Sequence, residues 1–293
     1  YGSLSALNPR LVYCSITGFG QSGPYAHRAG YDFLIQGMGG LMSVTGRPDG
    51  EDGGGPMKVG VALTDILTGL YASTAILAAL QAREHTARGQ HIDLALLDVG
   101  MACLANQGMN YLYGNQVPPR MGNAHPNTVP YQDFPTADGH MILAVGNDGQ
   151  FARLCHAAGQ PGWAQDARFA TNAARVAHRH ELVALIRGVT VGKPTRDWIA
   201  LLEQHGVPCG PINTVRDVFD DPQVKARGMQ IAMQHPQAGS VPLVASPLRL
   251  SDTPVSYRHT PPQLGQHTDA VLARHLGLAP EALQTYRDNG VLG

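Results

Sequence analysis

The chain has 293 residues, enough for one large domain or two modest ones, and its 43% apolar content can fill a real core. A net charge of −1, with only 15% charged residues, argues against a nucleic-acid partner and against an anionic membrane surface. Four cysteines lie far apart with no CxxC pair, and thirteen histidines include no HExxH, so reduced thiols and no bound metal are expected.

In chain order, Leu11-Val-Tyr-Cys-Ser15 reads as a buried strand after Asn8-Pro9. Thr17 to Gly30 is a glycine-containing loop, Tyr31 to Met38 a short helix, and 43–58 a loop rich in glycine and proline. A long helix starts near Thr64 and runs to about Glu84. Ile66 to Ala82 is uncharged, but it is short for a membrane span and is interrupted by Thr68, Gly69, Ser73 and Thr74. It reads as a buried core helix. Gly89 to Leu96 follows as a strand, and Asp98 opens a helix reaching about Tyr113. Strand, loop, helix, strand, helix predicts a parallel α/β domain over 1–114.

Asn115 to Pro130 is irregular and proline-rich. A strand pair around Asp138-Gly139 and Met141 to Val145 comes next, with helices near 149–158, 172–187 and 195–204. The last of these opens on Pro194-Thr195-Arg196-Asp197 and stops at Gly206. This outlines a smaller α+β domain over 115–225. Beyond Pro222, short strands alternate with proline, and a polar helix follows Thr268. No internal repeat is present.

Asp65 is the only charged side chain between Val59 and Leu80. A carboxylate in such a stretch must cap the helix, find a partner, or do chemistry, because burying it unpaired is costly. At a helix start the dipole keeps it ionised, and a poorly hydrated carboxylate is a competent nucleophile toward an acyl group. Gly69, one turn on, leaves room for a ligand. Gly37-Met-Gly-Gly40 and Gly53-Gly-Gly55 lack the P-loop ending and read as turns, as does Gly122-Asn-Ala-His-Pro126. There is no GxSxG and no Cys–His nucleophile pair.

Leu11-Val-Tyr-Cys-Ser-Ile-Thr-Gly-Phe-Gly-Gln-Ser-Gly-Pro24 resembles the strand and loop of the family III coenzyme A transferases, the family of formyl-CoA and carnitine CoA-transferases. So does Gly30-Tyr-Asp-Phe-Leu-Ile-Gln-Gly-Met-Gly-Gly-Leu-Met-Ser-Val-Thr-Gly46. Gly89-Gln-His-Ile-Asp-Leu-Ala-Leu-Leu-Asp98, Gly206-Val-Pro-Cys-Gly-Pro-Ile-Asn213 and Leu264-Gly-Gln-His-Thr-Asp269 are similar to further family motifs, in the same order. The resemblance implies an open Rossmann-like α/β large domain, a small α+β domain, a return of 226–293 to the large domain, and two chains interlocked as a homodimer. It implies that the amino-terminal half of the large domain lies partly outside this sequence.

The resemblance places the nucleophile at Asp65, in Val61-Ala-Leu-Thr-Asp65, with Asp98 ranked second and read as a helix cap. It implies coenzyme A contacts at Ala29, Gly30, Tyr31, Asp32 and Leu96, and substrate contacts at Gly122, Asn123, Ala124 and His125. Family racemases carry a His-Asp base where this chain has Tyr31-Asp32, and a tyrosine is a poor base for an α-proton. Gly122-Asn-Ala124 runs into His125-Pro-Asn-Thr128 instead of a polyglycine run, which looks like members using succinyl-CoA and dicarboxylates. The expected enzyme is cytoplasmic and moves CoA from an acyl-CoA to a carboxylic acid, with the CoA thioester as substrate and no resident cofactor. Two alternatives stay open: an α-methylacyl-CoA racemase-type isomerase, and a catalytically incomplete CoA-binding fragment.

Overall fold

In a computed structural model that describes residues 1–292, strands β1 (Tyr13–Thr17) and β2 (His91–Ala95) pair in parallel, Tyr13 opposite His91 and Thr17 opposite Ala95. A parallel pair needs a crossover, and the helix Leu63–Thr86 supplies it, packing on both strands. Alanine and leucine dominate this helix, and it ends where Ala87 turns left-handed and donates its N–H to the Arg83 carbonyl. Helices Asp32–Met38 and Leu96–Ala102 pack against it and against each other. The fold is mixed α/β with small sheets.

The expectation of a buried core helix is corrected. Leu63–Thr86 is long and apolar enough to cross a membrane by length and composition alone, yet only Thr64, Thr68, Ala72 and Ala79 are buried. The buried positions recur near the helical period and form one narrow stripe of small side chains. Ile66, Leu70 and Leu77 point outward and are exposed. Two further helices break where unbroken ones were expected. Asp98 to Tyr113 divides into Leu96–Ala102 and Ala105–Leu112, because Ala105 takes a left-handed φ of 49°. Residues 172–187 divide into Asn172–Ala177 and Arg179–Thr190, with His178 donating its N–H back to Ala174.

Strands β3 (Tyr131–Pro135), β4 (His140–Ala144) and β5 (Cys209–Pro211) form an antiparallel sheet in that order. Its inner face meets helices Asp148–Ala157, Arg179–Thr190 and Thr195–Gln204 over a core of Phe134, Met141, Leu143, Phe151, Leu182 and Leu202. Met141 and Leu143 alternate with exposed neighbours, the pattern of a strand wetted on one side.

The chain divides into two compact units at Pro211/Ile212, whereas the sequence suggests boundaries near 115 and 225. β5 closes the first unit. Phe219 and Val224, from the helices Val215–Asp220 and Pro222–Ala226, instead line a cavity with Ile231 and Pro242 of the hairpin β6 (Gln230–His235) and β7 (Gly239–Val244). Helices Thr268–Leu276 and Pro280–Asp288 complete the second unit.

Candidate active site

After β1 the chain leaves the sheet in the loop 18–30 and comes back on itself. Gly18 and Gly30 touch through their main chains: a Cβ on Gly18 would lie 2.5 Å from the Gly30 Cα. The Leu97 N–H donates to the Gly18 carbonyl at 3.1 Å, and the Gln21 N–H donates to the Asp93 carboxylate. Gly30 and Leu97, the residue after Leu96, thus flank one point, Gly18, although they are remote in sequence.

Tyr31 is the N-cap of helix Asp32–Met38, with an extended backbone, and the residue is 75% exposed. Asp32 turns inward. Its Oδ1 accepts from the Thr64 N–H at 2.9 Å and the Thr64 hydroxyl at 2.7 Å, and its Oδ2 accepts from Gln36 Nε2 at 2.8 Å. Burial pushes the Asp32 carboxyl up, but these hydrogen bonds, helped by the Lys58 charge, hold it below the ordinary range. Gln36 is fully buried, and its Oε1 accepts from the Val59 N–H at 2.9 Å.

Asp65 is the third residue of helix Leu63–Thr86. The N-cap is Ala62, with no side-chain cap bond, so Asp65 is not the cap. Its carboxylate is exposed and has no hydrogen bond or ion pair among the described residues. The expected poor hydration is therefore not seen, because the first turn presents this side outward. What remains is an unengaged carboxylate at the positive end of a 24-residue helix, a form able to attack an acyl carbon. A Cβ on Gly69 would meet nothing within 4 Å, so the next turn is open. Asp98 is likewise third in helix Leu96–Ala102, whose N-cap is Ala95 without a side-chain bond, and the cap expected of Asp98 is corrected.

Gly122, Asn123, Ala124 and His125 form a second group, with no hydrogen bond to Asp65 among the described residues. The Gly122 N–H donates to the Gly46 carbonyl, and Asn123 Nδ2 donates to Asp133. The loop that follows is clamped through its main chain. Arg179 donates to the carbonyls of His125 and Pro126, Asn172 to that of Asn127, and Arg175 to that of Val129 at 2.6 Å. His125 Nδ1 accepts from the Asn127 N–H, which assigns the ring proton to Nε2 and leaves that nitrogen as a donor. Beside the loop lies a cavity of about 510 Å³, lined by amides such as Asn110, Asn127 and Asn172 together with Pro118, Met121 and Pro126.

Sequence reasoning missed Gln36, Thr64, Asn172, Arg175 and Arg179. The available signal was spacing for one pair only: Asp32 and Gln36 lie four apart on helix Asp32–Met38 and share a face, whereas Arg175 and Arg179 fall on two different helices.

The family model for CoA-transferase family III matches residues 1–268. The chain is 53% identical over 273 residues to the succinate–glutarate CoA-transferase of Agrobacterium fabrum, covering 93% of this chain and 67% of that protein. It is 40% identical over 292 residues to the succinyl-CoA:glutarate CoA-transferase of Mus musculus, covering 100% of this chain and 66% of the relative. A crystal structure of a CAIB/BAIF family protein from Brucella suis superposes with a TM-score of 0.77 at 53% identity, over 94% of this chain and 70% of that one. The chain belongs to CoA-transferase family III. It spans about two thirds of the length of these curated relatives.

Proposed function

We propose that the protein transfers coenzyme A from succinyl-CoA, or a similar acyl-CoA, to a dicarboxylic acid, with Asp65 as the nucleophile. The observation that carries this reading is an unengaged carboxylate at a helix N-terminus, in the position where the family motif predicts the nucleophile. The activities for which the Agrobacterium and mouse relatives are named support the substrate class.

Asp65 attacks the thioester carbonyl, the C–S bond breaks, and CoA thiolate leaves a mixed anhydride behind. The thiolate attacks the aspartyl carbonyl, the C–O bond breaks, and the donor acid departs, leaving an aspartyl-CoA thioester. The acceptor carboxylate attacks that thioester to form a second anhydride and free thiolate. The thiolate then takes the acceptor acyl group and releases Asp65. Each step exchanges one carboxylate or thiolate for another, so no net proton or electron is needed. The CoA thioester is substrate; no resident cofactor takes part. The thioester arm lies along Ala29, Gly30, Tyr31 and Leu96, with Asp32 contributing main chain only. The acceptor meets Gly122, Asn123, Ala124 and His125. The working unit is an interlocked homodimer in the cytoplasm, with neither nucleic acid nor membrane as a partner.

The test incubates the protein with succinyl-CoA and a panel of dicarboxylates, reads new CoA esters by mass, traps with hydroxylamine and maps the modified residue. A new diacid ester with label at Asp65 is expected. Label at Asp98 with Asp65 untouched, or rapid α-deuteration of the acyl group without transfer, would falsify the reading.

A further inference from the structure

Helix Leu63–Thr86 opens without a cap of its own, since Ala62 has no side-chain acceptor. A bare first turn leaves N–H groups unsatisfied and frays. Here the acceptor arrives from another helix. Asp32 Oδ1 takes both the N–H and the hydroxyl of Thr64, the residue immediately before Asp65. Its second oxygen takes Gln36 Nε2. Gln36, 0% exposed, takes the Val59 N–H and reaches the Val61 carbonyl at 3.4 Å. One buried cluster therefore fixes the chain at 59, 61 and 64 as it enters the turn that carries Asp65. The helix that supplies the cluster is capped by Tyr31, so the same bonds tie that helix to the turn that leads into Asp65.

We propose that Asp32 and Gln36 are positioning residues, which hold the first turn of the Asp65 helix and thereby its angle of attack. This rests on the reading of Asp65 as the nucleophile. A group that orients a nucleophile acts on the chemical step, because small misplacements of reacting atoms cost rate steeply and leave ground-state binding nearly untouched. A CoA ligand would show the opposite split.

Asp32→Asn keeps the shape and one acceptor, but turns a donor toward the donor of Gln36. Adding Gln36→Glu restores the donor–acceptor match between the two side chains and keeps the acceptor for the Val59 N–H, at the loss of the long 3.4 Å bond to the Val61 carbonyl. The full chain is assayed for kcat and for KM toward the acyl-CoA, and amide hydrogen exchange at 63–66 is measured without substrate. For Asp32→Asn we expect kcat to fall about 10- to 100-fold with KM changed by less than about twofold, and exchange at 63–66 to rise. Gln36→Glu added to it should recover about fivefold or more of kcat and part of the protection. Should the carboxyl swap fail to fold, Thr64→Val removes one donor in an isosteric side chain and should lower kcat, while Thr64→Ser should not. A raised KM at constant kcat, or exchange at 63–66 unaltered by Asp32→Asn, overturns the positioning role. Equal loss from Thr64→Val and Thr64→Ser does the same. Absence of hydroxylamine label at Asp65 in the unmodified protein is a separate result, which sinks the nucleophile reading whatever the exchange data show.

Discussion

Three side chains, the half-buried Asp32 and the buried Cys155 and Arg175, set the response of the protein to acid, to thiol reagents and to truncation. The Asp32 carboxyl sits below its ordinary 3.8, so its contribution to stability is present above that value and is lost as pH falls through the lower, folded one. Acid titration followed by circular dichroism should therefore show a shallower loss as pH falls below the ordinary carboxyl range for Asp32→Asn than for the unmodified chain. Cys155 is fully buried, and burial, only partly offset by the Arg175 charge, pushes its thiol up to about 11. In native protein at pH 8, Cys155 should resist iodoacetamide while the half-buried Cys14 and Cys103 react, and it should label on unfolding. Arg175 is 0% exposed and donates to Val129, Phe169 and Asp148, with its guanidinium over the Phe151 ring. Arg175→Met keeps much of the volume but leaves two buried carbonyls without donors. A loss of about 2–6 kcal/mol by urea titration is expected, at about 1–3 kcal/mol for each orphaned group.

At the scale of elements, the loop 125–129 is fixed by its neighbours, because Asn172, Arg175 and Arg179 all grip its carbonyls. Arg179→Ala should loosen the carbonyls of His125 and Pro126 and blunt the preference for diacids over monoacids by about tenfold. His125→Ala should act in the same direction, and competition assays with glutarate against butyrate check both. Equal losses for both acceptors would remove the loop from selection. Much of this level could be read from sequence. Thr195–Gln204 was legible because Pro194 starts it and Gly206 follows it, and β1 and β2 were legible as strands from short runs between turn residues, although β1 lies two residues later than expected and is half-buried, with Ile16 exposed, where a buried strand was expected. The break at Ala105 was not, since an alanine gives no sign of a left-handed backbone. Asp65 stood out as the lone charge in an apolar run. Gln36 and Arg179 did not, because a polar residue on a helix reads as solvent-facing until its partners are known. The narrow buried stripe of Leu63–Thr86 was missed because uncharged length says how apolar a helix is, not how many of its sides are covered.

For the molecule as a whole, the two units predict where it is cut first. Residues 211–218, which join β5 to the second unit, are exposed throughout, including Ile212 and Val215. Brief thermolysin digestion should cleave there before it cleaves within β3–β5 or within the β6–β7 hairpin, as mass spectrometry of early fragments would reveal. The loop 18–30 makes a different kind of whole-chain statement. Gly18 and Gly30 each form the wall the other would strike, so neither can be relieved by shrinking a neighbour, there being nothing smaller than glycine. In a mutational scan the two positions should behave as a single site. Alanine at either would open the loop and raise KM for the acyl-CoA, alanine at both would be hardly worse than one, and no side-chain change elsewhere in the pair's surroundings would act as a suppressor. Within this family of sequences the pair is then expected to drift together or not at all.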